Sequence, residues 1–205
     1  MTSSLETLLR HPRLWRARDA RQRDPGAIAT GFDALDERLP GGGWPAQGLI
    51  ELLTARAGSG ELSLLLPAML RLTSGAEVWM AMVAPPHEPY APALSAAGID
   101  VERLLVVRAG ATPDDIPWAL EQIVRSGACR IVLGWMGEAV PPTLRRLQLA
   151  AEQTGTLAVL TRDARFRVEP SPAVARLLLA PAREGLEVHL LKSRGGREGR
   201  VTIAL

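Results

Sequence analysis

One cysteine and one lysine occur among 205 residues, and no apolar run approaches the roughly 20 residues that cross a bilayer. Each scarcity excludes something. A lone cysteine cannot pair within the chain. Cys129 opens the apolar run "CRIVLGW", which marks a small core residue rather than a nucleophile. The polar N-terminus "MTSSLETLLRHPRLWRARDARQRD" has no signal-peptide core, so a cytoplasmic location is expected. His11, His87 and His189 lie far apart without ligand spacing, and no metal is expected. Ser-His-Asp catalysis lacks a nucleophile elbow. There is no internal repeat and no low-complexity tract.

What is present is 47% hydrophobic residues and charge of both signs, enough to build one folded domain with an arm. The formal net charge is +2, unevenly spread. Arg10, Arg13, Arg16, Arg18, Arg21 and Arg23 crowd one end; Lys192, Arg194, Arg197 and Arg200 crowd the other. Such ends can serve nucleic acid or an acidic partner. With a single lysine, arginine is also the chain's general surface cation.

Residues 1–27 are expected to form a basic arm and linker, ending in "RDPGA", and residues 28–205 an α/β domain. A short helix is predicted from Thr30, whose hydroxyl would cap it, to Pro40. Strands are predicted at 49–54, 77–83, 103–107, 130–135 and 156–161, with helices at 61–73, 89–97, 114–126 and 142–154 between them. Short, fully apolar strands alternating with helices imply a mostly parallel sheet covered on both faces. The later segments "VARLLLAP", "GLEVHLLKSR" and "GRVTIAL" look like antiparallel strands finishing one edge.

"IELLTARAGSGELSLLLPAML" has the layout of a phosphate-binding loop: apolar strand, small-residue turn, apolar helix. Such loops need a Lys to neutralise the phosphates and a Ser or Thr to hold Mg²⁺. Gly58, Ser59 and Gly60 are followed instead by Glu61 and Leu62; the first reverses the charge and the second offers no oxygen. Ser63 stands one place too late. The strand "CRIVLGWM" carries Gly134 where an ATPase places a metal-binding Asp, and "APPHEPY" carries Pro85 where the catalytic carboxylate belongs. Glu88 is a stand-in for that carboxylate or a cap for the next helix. These losses predict a pseudo-ATPase: no enzyme activity and no cofactor.

These residues bring a resemblance into view. "IATGFDALDERLPGGGWPAQGLIELL" resembles the lead-in to the RecA core, and the similarity runs over roughly residues 28–205. "HPRLWRA", "PGGGWP", "APPHEPYAPAL", "GIDVERLLVVR", "ALEQIVRSGAC", "LRRLQLAAEQTGTL" and "LLKSRGG" together resemble ImuA, a RecA-like, SulA-related family. That resemblance implies a RecA-like core with an antiparallel C-terminal edge. It also implies a non-catalytic adaptor of damage-induced (SOS) translesion synthesis that binds RecA and ImuB, with an error-prone C-family DNA polymerase in the same complex. The alternative is a SulA-type division inhibitor binding the tubulin-like protein FtsZ, from which the arm would distinguish it. By this resemblance the arm residues Arg13, Leu14, Trp15, Arg16 and Arg18 would dock on a neighbouring RecA-like subunit; packing on their own domain is the other reading of Trp15.

Two further clusters could touch DNA or a partner. Arg162, Arg165 and Arg167 surround one Phe in "TRDARFRV", as phosphate contacts or as a solvated loop. Lys192, Arg194, Arg197 and Arg200 surround a glycine-rich turn between two strands. Trp44, Trp79, Trp118 and Trp135 are expected to fill the core.

Overall fold

The computed structural model describes residues 26–205 apart from positions 76, 109, 111, 113, 194 and 197. The arm, with Arg13, Leu14, Trp15, Arg16 and Arg18, and the turn residues Arg194 and Arg197 lie outside the described residues.

The centre of the fold is the strand "GLIELLT", β1 (Gly48–Thr54), buried at every position. After it come α2 (Glu61–Leu72), β2 (Trp79–Val83), α3 (Ala91–Ala96), β3 (Leu104–Val107), α4 (Asp115–Ser126), β4 (Cys129–Trp135), α5 (Pro141–Thr154) and β5 (Leu157–Asp163); α1 (Asp33–Asp36) precedes it. Three strands close the chain: β6 (Ala175–Ala182), β7 (Gly185–Ser193) and β8 (Gly199–Ile203). They form one eight-stranded sheet in the order β3-β2-β4-β5-β1-β6-β7-β8. Mostly apolar residues on both sides of the strand suit β1, β2, β4 and β5 to a sheet with both faces covered. On one face Ile50, Leu52, Met80, Met82, Ile131 and Leu133 pack against Leu64, Leu65 and Met69 of α2. On the other, Leu49, Ala81, Val132 and Leu160 pack against Leu120 and Val124 of α4 and Leu144 and Leu147 of α5. Burying each such Leu contributes about 1.5–3 kcal/mol.

Three expectations are corrected. β6 runs parallel to β1 on one side and antiparallel to β7 on the other, so the antiparallel edge starts at the β6–β7 pair and not at β1–β6. Thr30 does not cap α1: its Oγ1 accepts from Phe32 N at 3.1 Å and shapes the turn before the helix, while Asp36 Oδ1 accepts from Thr30 N at 2.8 Å. Trp44 is fully buried, but Trp79 and Trp118 are exposed, because Trp79 starts a strand next to the edge and Trp118 sits on the outer side of α4. No helix among the described residues is long and apolar enough to cross a membrane.

Candidate functional site

β1 delivers the chain into the turn 55–60, and α2 begins directly after it. Gly60 turns left-handed at φ 106°, a conformation that favours glycine, and a Cβ there would stand 2.7 Å from Leu205 Cδ1. Gly60 thus lets the chain turn tightly into α2, and the loop's polar groups are already engaged. Glu61 is only 3% exposed, and its Oε1 accepts from Gly58 N at 3.0 Å. The Gly58 N–H is thus taken by a carboxylate of the same chain. Ser59 Oγ donates to Arg56 O at 2.6 Å, and Leu62 faces solvent.

Gly134 and Pro85, where an ATPase would carry carboxylates, lie at the same end of the sheet. Gly134 is buried in β4; a Cβ there would meet Leu120 Cδ2 at 2.6 Å and Leu160 Cδ2 at 3.0 Å. The space for an acidic side chain is filled by leucine. Pro85 follows β2, where Ala84 N donates to Val107 O at 2.7 Å. Glu88 caps no helix: it pairs with Arg108 at 2.9 Å in the open. Among the described residues, no group of three His, Cys, Asp or Glu side chains could hold a metal ion.

The strongest electrostatic feature was not anticipated. Glu51, wholly buried in the middle of β1, accepts from Arg162 Nη1 at 2.8 Å and from Arg176 Nε at 2.6 Å. Arg162 also donates to Gly137 O and Glu169 Oε2, both at 3.2 Å, and lies over the Phe166 ring at 4.4 Å. Arg176 donates to the carbonyls of Phe166, Arg167 and Glu169 at 2.8, 3.2 and 2.7 Å. Buried charges of this kind persist only when paired and hydrogen-bonded throughout. Their effect is to pin the 3₁₀ turn Ala164–Val168 onto the sheet. The signal in the sequence was one Glu inside an otherwise apolar strand, with an Arg in each strand flanking it in space, "TRD" and "ARLLL".

The proposed phosphate contacts therefore separate. Arg162 has no exposed side-chain surface and is committed inside the fold, so it cannot reach a phosphate. Arg165 and Arg167 are exposed on the pinned turn, Arg165 lying 3.5 Å from Glu138 and over Phe166 at 4.7 Å. In the C-terminal hairpin Lys192 Nζ donates to Ser171 O at 2.6 Å, and Arg200 approaches Glu187 at 3.8 Å. Burial pushes the Cys129 thiol up from its ordinary value.

Fold and site together define a mixed α/β domain built around a glycine loop that its own carboxylate occupies. No family profile matches the chain. The cell division inhibitor SulA of Edwardsiella piscicida is 32% identical over 116 residues, which span 57% of this chain and 68% of that protein. SulA from Pseudomonas aeruginosa, solved by crystallography, is similar at 23% identity with a TM-score of 0.45, covering 55% of this chain and 96% of that one. On the first of these relatives, the chain belongs to the SulA family.

That finding corrects the reading as a translesion-synthesis adaptor with RecA, ImuB and an error-prone polymerase as partners. The segments from "PGGGWP" to "LLKSRGG" that carried the resemblance lie across the strands, helices and turns of the fold and so belong to its framework. A framework does not specify a partner.

Proposed function

We propose that this chain is a SulA-type inhibitor of cell division that acts by binding FtsZ. The observation that carries it is identity of 32% across 68% of the length of a division inhibitor. In this reading the protein is cytoplasmic and made on DNA damage. It works by occupying a partner rather than by chemistry: Glu61 fills the loop that would take a nucleotide, which supports a binding module without ATPase activity. The sheet order, with parallel strands about β1 and an antiparallel edge at β7 and β8, supports descent from a RecA-like core.

The test is overproduction in dividing bacteria together with purified components. Filamentous cells, rescued by extra FtsZ, and loss of FtsZ polymerisation at stoichiometric amounts of this chain are the expected results. Normal division at high expression, or unimpaired polymerisation, would refute the proposal.

A further inference from the structure

Four large apolar side chains are more than 60% exposed: Val168 at 81%, Tyr90 at 71%, Trp118 at 66% and Val140 at 63%. The next among the described residues is Leu205 at 54%. Their placement is not scattered. Tyr90 lies between β2 and α3, Trp118 in the first turn of α4 after β3, Val140 directly before α5 after β4, and Val168 at the end of the turn after β5. Each therefore follows a parallel strand at its carboxyl end, and β3, β2, β4 and β5 are consecutive neighbours in the sheet. Four adjacent strands each deliver one exposed apolar group to the same end of the molecule.

With neighbouring strands about 4.8 Å apart, the four strand ends that deliver these groups span about 14 Å. That is the scale of an apolar centre within a standard protein interface of about 800 Å² per partner. The centre is also held still. Val168 ends the turn pinned by Arg176 and Arg162, and Arg162 ties the neighbouring loop through Gly137 O. A surface ordered before contact loses less entropy on binding.

The charges around it select the kind of partner. Exposed Arg56, Arg108, Arg165 and Arg167 are matched by exposed Glu88, Asp114, Glu138 and Asp163, so the face has no excess charge to attract a nucleic acid. Two pairs, Arg108 with Glu88 and Arg165 with Glu138, are closed within the chain. Arg56 and Arg167 have no ion pair among the described residues, Arg167 Nη1 donating only to Ala164 O at 3.5 Å, so both charges remain to be met by carboxylates of a protein.

We infer that the carboxyl end of the sheet is the surface through which this chain meets its protein partner, with Tyr90, Trp118, Val140 and Val168 as the apolar centre. The inference rests on the functional reading above in taking that partner to be FtsZ. The full chain and its Trp118→Ser, Val168→Ser and Arg167→Glu variants are titrated against purified FtsZ, with Leu149→Ser on the far part of α5 as the control. All four positions are exposed, and equal unfolding midpoints verify that the variants fold. Trp118→Ser and Val168→Ser should each weaken binding at least tenfold, about 1.4 kcal/mol. Arg167→Glu should weaken it measurably, and Leu149→Ser should leave it within twofold. If the parent binds FtsZ and the variants bind equally well, the surface is wrong and the functional reading stands. Equal losses in the control also overturn the surface. If the parent does not bind FtsZ, both fall.

Discussion

Replacing Glu51 by Gln changes almost no volume and removes one charge, yet it should be among the most damaging single substitutions in the domain. Glu51 accepts from both arginines of the buried network, at 2.8 Å from Arg162 and 2.6 Å from Arg176. In the amide, one acceptor oxygen becomes an NH₂ group aimed at a guanidinium. One arginine then loses its acceptor, and both lose the neutralising charge. Glu169 remains for Arg162, but that carboxylate is partly in water and screens poorly. Breaking a buried pair typically costs about 3–5 kcal/mol. For a chain of this length, about 2–4 °C of melting temperature goes with each kcal/mol, so the midpoint should fall by about 6–20 °C. Urea unfolding followed by circular dichroism gives the free energy, and calorimetry the midpoint. Replacing Arg162 by Met in the same protein should recover part of the loss, because the cost comes from stranded cations. A loss under about 1 kcal/mol for Glu51→Gln, or no recovery in the double variant, would refute the reasoning.

Calorimetric titration with ATP and Mg²⁺ should be flat, and Glu61→Lys alone should not restore binding or hydrolysis, since positions 85 and 134 still lack carboxylates; micromolar affinity in either protein would contradict this. The raised Cys129 thiol favours its protonated form in the folded state. Stability should therefore be intact below the ordinary thiol range, about pH 8.5, and decline as pH rises beyond it, a slope that Cys129→Ala should flatten in pH-dependent unfolding. The same thiol should react slowly with a thiol reagent in the folded protein and rapidly in urea.

Much of the architecture was legible because the core strands are largely apolar on both faces and the helices between them are not. The pattern predicts 142–154 for α5, which runs Pro141–Thr154, and 130–135 for β4, which runs Cys129–Trp135. What the pattern could not carry was anything set by a distant neighbour. The direction of β6 depends on which side of β1 the chain returns to, and "VARLLLAP" reads the same both ways. Trp79 and Trp118 carry the composition of core residues, but their exposure depends on where the covering layers stop. Arg162 looked like a surface cation until its partner Glu51, 111 positions earlier, was placed beside it. The glycine loop was visible; that Glu61 bends back to fill it was not, because a reversed charge in sequence does not say which N–H it will face.

Gly134 has a consequence for which substitutions the fold accepts. Its missing side chain leaves space that Leu120 and Leu160 have taken, one from a helix and one from the adjoining strand. An acidic residue there would meet both leucines and bury a charge at the cost of their packing. The three positions are therefore coupled: 120, 134 and 160 can change in volume only together, and a larger side chain at any one of them has to be matched by a smaller one at another.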